Sequence, residues 1–231
     1  MKRLLFAFGA LCLLGCAATP AVRAQRDGSG ELPPAGFGTL NQDELAMVLR
    51  TEELEIRVLP LDERVLRLLA RDAYASLSGV VRARRAAIDS VAGRFGLSTP
   101  GLVHVSFFAR FRDARFDAQD LQLTIRNRLL RPVGIIPLSP GFGAQQLGLR
   151  QRASAIYVFE QEIPVYERFE VTYGVRATQD WGDKLSLIER ERARVAGRAR
   201  RSTPIPDDSA VPPDTTPAPD TAATDSIGAP R

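Results

Sequence analysis

Strict alternation of apolar and polar side chains, sustained between residues 102 and 176, constrains the fold of this chain more than any other feature. Val103, Val105, Phe107, Ala109 and Phe111 share one parity, and His104, Ser106, Arg110 and Arg112 share the other; Phe108 interrupts the polar set. A period of two sends alternate side chains to opposite faces of an extended strand, so this segment is expected to bury one face and solvate the other. The pattern recurs where Leu121, Leu123 and Ile125 alternate with Gln122, Thr124 and Arg126. It recurs again where Phe169, Val171, Tyr173 and Val175 alternate with Glu170, Thr172 and Arg176. Residues 133–138 and 153–159 are apolar on both parities, as expected of central strands covered on two sides. Turn formers such as Ser139-Pro140-Gly141 separate the runs.

Leu54, Ile56 and Val58 alternate with Glu53, Glu55 and Arg57 and offer a further strand, and residues 145–149 offer a weaker one. Together these runs predict a mainly β, or α+β, chain built on an antiparallel β-sandwich over residues 102–176. In pattern the sandwich resembles the immunoglobulin-like domains common in secreted bacterial proteins, ending on the strand Phe169-Glu170-Val171-Thr172-Tyr173. A helical pair packed on a small sheet is the structural alternative. Residues 39–101 are expected to add a strand and helices packed on the sandwich. Pro60 stops the strand, Asp62 is placed to cap a short helix, and Val65, Leu66, Leu68 and Leu69 supply its apolar face. A longer helix begins near Asp72, carries Leu77, Val80, Val81, Ile88, Val91 and Phe95 at three- and four-residue spacing, and ends at Gly96. Residues 177–201 form a basic helix with a thin stripe of Leu185, Ile188 and Val195. On it, Glu189 and Glu191 are spaced to pair with Arg192 and Arg194. Residues 202–231, built from Pro, Thr, Asp, Ala and Ser, are expected to be a disordered tail.

The amino terminus fixes an expected address. Lys2 and Arg3 precede an apolar run over residues 4–14, well short of the roughly 18 to 20 residues that span a bilayer. The run closes on Leu13-Leu14-Gly15-Cys16, which resembles the lipobox of bacterial lipoproteins. That resemblance implies that residues 1–15 are a signal peptide, that Cys16 is the lipid attachment site, and that residues 16–38 are a flexible tether. Ala17 follows the Cys where lipoproteins retained at the inner membrane often carry Asp, so the resemblance favours the outer membrane. The alternative is ordinary signal cleavage after Val22-Arg23-Ala24, which gives a soluble periplasmic protein. Cys12 lies in the segment that would be removed and Cys16 would be acylated, which leaves no thiol for a disulfide.

Charge excludes one class of partner. The net charge of +4 at pH 7 is local, since residues 184–201 carry seven Lys or Arg against Glu189 and Glu191, while residues 203–231 carry five Asp and one Arg. Such a chain outside the cytoplasm is poorly suited to nucleic acid, whose binding depends on clustered phosphate neutralisation. Arg190, Arg192, Arg194, Arg198, Arg200 and Arg201 are candidates for contact with an anionic surface, either lipid headgroups or wall polymer. A solvated helix end is the plainer reading of them.

Catalytic signals are sparse. The single histidine, His104, excludes two-histidine metal motifs, and with Ser106 on the same strand face it is the sole candidate for a Ser-His arrangement. A solvated or hydrogen-bonded sheet histidine is the simpler expectation. Asp113, Asp117 and Asp120 match no calcium-loop spacing and read as turn formers, and Gly141-Phe142-Gly143 reads as a loop. Trp181 is expected to plug the sandwich rim. No catalytic residue, metal site or cofactor is expected. The leading expectation is a lipid-anchored envelope protein with structural or binding contacts, an envelope protein or wall polymer being the candidate partner. The alternatives are an envelope hydrolase using His104 and a periplasmic carrier of apolar cargo.

Overall fold

Val103, Val105, Phe107 and Ala109 are all 0% exposed, so the parity predicted to face the core does so along a whole strand. The computed structural model describes residues 32–202. The expected signal peptide, Cys16, the alternative cleavage point at Ala24 and the tail beyond Ser202 lie outside the described residues. The chain runs through α1 (Gln42–Leu45), β1 (Met47–Arg50), β2 (Leu54–Pro60), α2 (Glu63–Leu66), α3 (Arg71–Ala83) and α4 (Arg85–Phe95). There follow β3 (Gly101–Ala109), β4 (Ala114–Arg115), β5 (Leu121–Ile125), β6 (Arg128–Leu130), β7 (Gly134–Pro137) and β8 (Gln146–Leu147). The chain continues through β9 (Arg152–Phe159), β10 (Phe169–Tyr173), β11 (Arg176–Thr178) and α5 (Trp181–Ser202). No described helix is long and apolar enough to cross a membrane.

The architecture is mainly antiparallel sheet with flanking helices. One sheet has five strands in the order β1-β2-β3-β9-β7, a second has four in the order β11-β10-β5-β6, and β4 pairs with β8. All pairings between these strands are antiparallel. The residues facing one another between the two large sheets are those of the apolar parity. Phe107 of β3 stacks on Phe116 at a centroid distance of 4.4 Å and meets Tyr173 of β10 edge-on at 5.8 Å, geometries that add about 0.5–1.5 kcal/mol per pair beyond area burial. The polar ends of the buried aromatics are used as ties. Tyr157 donates its hydroxyl to the Ala118 carbonyl at 2.9 Å, and Tyr173 accepts the Asp117 amide at 2.9 Å. Trp181 is the expected plug: it is 0% exposed, donates Nε1–H to the Val165 carbonyl at 3.1 Å, and packs on Phe169.

Several local expectations need correction. Residues 133–138 are apolar on both parities, yet β7 lies at the edge of its sheet, next to β9 alone. Its outward parity is covered by α4, which comes so close that a Cβ at Gly134 would sit 2.6 Å from Val91 Cγ1. Helix cover, rather than a central place, explains the composition. β9 is an interior strand, between β3 and β7, and Ala155 to Phe159 are 0% exposed on both parities. Val175 leaves the apolar face to sit in the β10–β11 turn at 98% exposure, after Gly174 turns the backbone with φ of 55°. Phe111 lies beyond the end of β3 and is exposed. The single long helix expected from Asp72 to Phe95 is divided at Arg84, where φ of −104° and ψ of 8° leave the helical range. The expected loop at Gly141-Phe142-Gly143 is a turn of 3₁₀ helix over Pro140–Ala144, which drops Phe142 into the core beside Phe107 and Phe116.

The carboxyl-terminal helix is fastened by a buried ion cluster. Glu191 lies on the apolar stripe of α5 between Ile188 and Val195 and is 0% exposed. Its Oε1 accepts from the Thr39 amide at 3.1 Å, the Thr39 hydroxyl at 2.9 Å and Arg198 Nη1 at 2.8 Å. Arg198 also donates to the Phe37 carbonyl at 2.6 Å. The segment that carries Thr39 is itself pressed against the chain at Leu68, where Gly38 is needed because a Cβ there would lie 2.3 Å from the Leu68 backbone. Burial pushes the Glu191 carboxyl up, but the hydrogen bonds from Arg198 and Thr39 outweigh it and hold the group below the usual carboxylate range. Its stabilising effect is therefore present above the unfolded value and is lost as pH falls through the folded one. We expect Glu191→Gln to cost about 1.5–3 kcal/mol at pH 7, the range for hydrogen bonds to a charged group. Urea denaturation measures this, and the difference between variant and wild type should shrink as pH drops below about 4.

Candidate functional site

The parity of β3 opposite the core lays out the site. On this outer face, strand register places side chains in three rows: Glu55, Phe108 and Arg152; Arg57, Ser106 and Ser154; Leu59, His104 and Ile156. The helical segment covers one end of the face, where Ile88, Ala92 and Leu97 close on Leu102. At the other end, α1 brings Gln42, Asp43 and Ala46 to the rim, and a cleft of about 220 Å³ remains between the rim and the strands. Glu44 Oε2 accepts the Asn41 amide at 2.6 Å and so steadies the short helix that forms this rim.

Charges in the cleft are unequally satisfied. Arg57 donates to Glu55 at 2.9 Å and pairs with Asp43, while Arg50 donates to the other Glu55 oxygen at 3.2 Å. Burial pushes the Glu55 carboxyl up, but the hydrogen bonds from Arg57 and then Arg50 outweigh it and hold it below its usual range. These four groups balance. Arg152 forms no ion pair or side-chain hydrogen bond among the described residues. It is exposed at the first position of β9, beside Phe108. Ser106 is 6% exposed, and its hydroxyl likewise has no hydrogen bond among the described residues.

His104 is half-buried between Leu59 and Ile156. Burial, and then the charge of Arg152, push its imidazole down to about 4. At pH 7 it is therefore neutral, with one nitrogen able to donate and the other to accept. No hydrogen bond joins it to Ser106 among the described residues, and the nearby carboxylates of Asp43 and Glu55 are held by arginines. A base oriented by an acid and bonded to a hydroxyl is thus not assembled here. What the arrangement offers is one guanidinium without a protein partner, a neutral imidazole, a hydroxyl and an aromatic wall on adjacent hydrogen-bonded strands.

The other sequence candidates are dispersed. Arg198 is turned inward to Glu191, and Arg192 lies over the Tyr166 ring at 5.1 Å. Arg190, Arg194, Arg200 and Arg201 are exposed, with Arg194 3.7 Å from the buried Glu191. Asp117 caps a 3₁₀ turn by accepting the Gln119 amide at 2.7 Å, and Asp113 occupies a turn position with φ of 58°. Among the described residues no group of three or more His, Cys, Asp or Glu is arranged to hold a metal ion. Comparison with family models, with curated proteins and with solved structures found no match to this chain.

Sequence reasoning found His104 and Ser106 through their shared parity. It missed Asp43, Glu55, Arg57 and Arg152 as their neighbours, because only the strand order brings those residues to the same face.

The depressed imidazole has a consequence for stability. Between about pH 6.5 and pH 4 the unfolded chain binds a proton at this position that the folded chain does not, so His104 makes the fold less stable as pH falls through that window. We expect this loss to reach at most about 3 kcal/mol and to level off below pH 4. In His104→Gln, urea midpoints measured from pH 7.5 to 4.5 should show a visibly flatter profile than wild type.

Proposed function

We propose that this protein is a lipid-anchored component of the bacterial cell envelope whose folded domain binds a small ligand in the outer-face cleft. The observation that carries the binding role is the uncommitted Arg152 at the edge of a half-enclosed cleft whose remaining charges are already balanced. An exposed guanidinium, an aromatic and two polar side chains without protein partners converge on this concavity, and a few convergent polar groups in a concavity are what ligand recognition uses.

The anchor rests on Leu13-Leu14-Gly15-Cys16 and the short apolar run before it. On this reading Cys16 carries the acyl chains, and more than one chain is needed for lasting attachment. The outer membrane is the favoured destination, with no nucleic acid or cofactor involved. The exposed Arg190, Arg194, Arg200 and Arg201 would strengthen contact with an anionic headgroup or wall polymer by about 1 kcal/mol each near the surface. Labelling cells with an alkyne palmitate analogue tests the anchor: we expect the wild-type protein to be labelled and Cys16→Ala to lose the label. Equal labelling of both would remove the premise.

A second reading, an envelope hydrolase, is favoured by one observation, the presence of Ser106, His104 and Asp43 in the same cleft. Ligand binding could then assemble contacts absent from the free protein. On the binding reading, neither Ser106→Ala nor His104→Ala changes the rate at which purified protein hydrolyses a panel of ester and amide substrates. A fold-preserving loss of activity in both variants would favour the hydrolase instead.

A further inference from the structure

The geometry of the cleft points to the class of its ligand. We propose that it binds a single carboxylate carried on a small apolar body, with Arg152 as the ion-pair partner, Ser106 and His104 as hydrogen-bonding groups, and Phe108 as the apolar wall. This rests on the reading of the cleft as a binding site given above.

Charge counting selects the carboxylate. Arg50, Arg57, Asp43 and Glu55 form a linked and neutral set, in which Glu55 accepts from both arginines and Asp43 pairs with Arg57. Only Arg152 remains, so the cleft is complementary to one negative charge. A phosphate dianion would bring a second charge toward Asp43 and Glu55 with no cation left to meet it. The planar guanidinium fork matches a carboxylate in two parallel hydrogen bonds.

Register supports the assignment of roles. Arg152 faces Phe108 directly across the β3–β9 ladder, and Ser106 lies two residues along the same strand face. His104 follows two residues further on, next to Leu59 and Ile156. A ligand lying along β3 therefore meets a cation, an aromatic, a hydroxyl and an imidazole in turn. The cleft of about 220 Å³ is below the roughly 300–1,000 Å³ of pockets for drug-sized molecules. It suits one short group, such as the carboxyl end of a peptide with a single apolar side chain.

Binding an anion here has a linked effect on the imidazole. The groups facing it are Arg152 from β9, Arg57 and Glu55 from β2, and Asp43 from α1. Burial first, and then the uncompensated charge of Arg152, oppose protonation of His104; a bound carboxylate offsets the second of these and favours the imidazolium. Ligand affinity should therefore rise as pH falls, as long as the ligand remains ionised.

The chain has one histidine, so a single imidazole signal reports the site by NMR. We would titrate the purified full-length protein with N-acetyl-leucine, with N-acetyl-leucinamide as the neutral counterpart, and with inorganic phosphate. The expected result is a saturable shift of the His104 ring signals by N-acetyl-leucine, a raised imidazole pKa in the complex, and binding tighter at pH 5 than at pH 7.5. Arg152→Met, at an exposed position and with an unchanged circular dichroism spectrum, should weaken binding by about tenfold or more. If the amide moves the ring signals as strongly as the acid, or only phosphate moves them, the carboxylate assignment fails while the cleft stands as a binding site. If none of the three compounds moves them, the binding reading of the cleft falls with it.

Discussion

Every other element of this fold depends on β3 burying one of its faces completely while leaving the other largely polar. Val103, Val105, Phe107 and Ala109 are completely buried, with Phe107 against Tyr173 of the four-stranded sheet, and the same backbone presents His104, Ser106 and Phe108 on the reverse. Because a strand's side chains alternate without exception, the core cannot be built without also presenting those three residues together. Aromatic contacts through Phe107 hold the strand in register, and β2 and β9 on either side fix the direction of every outward side chain. The candidate site is thus mounted on a strand hydrogen-bonded along both edges, where binding a ligand requires little ordering of the protein.

The polar groups that are buried fall into two kinds. Glu191 is surrounded by donors from Thr39 and Arg198 and serves to hold α5 against the start of the described chain. His104 and Ser106, by contrast, have no hydrogen-bonding partner among the described residues and line the open cleft. They lie beside the one cleft-edge arginine that has no carboxylate. The cluster that fastens α5 is thus distinct from the cluster proposed to bind a ligand. The first is closed and neutralised; the second is open and carries a residual charge.

Much of the sheet was legible from local pattern. The strands β2, β3, β5, β9 and β10 announce themselves through alternation or sustained apolar character, and Asp62 marked the start of α2, where it accepts the Arg64 amide at 2.8 Å. The strands β1, β4, β6, β8 and β11 were missed or weakly marked because two to four residues are too few to display a period. Glu191 could have been found: a carboxylate three residues after Ile188 and four before Val195 stands on the apolar stripe, and a charge in that place needs a partner. Val175 and Phe111 misled because alternation continued past the point at which the hydrogen-bonded ladder ended.

The sequence by itself determined the period-two core, the start of α2 at Asp62 and the stop of α4 at Gly96, and the placing of His104 with Ser106 on one face, because these follow from bond geometry between near neighbours. Only the tertiary structure decided which charges meet. The order β1-β2-β3-β9-β7 brings Arg152 and Glu55 to either side of Phe108, and puts Asp43 within reach of Arg57. These partners are far apart along the chain, so no local periodicity encodes their meeting, and it arises from the way the whole apolar surface is closed.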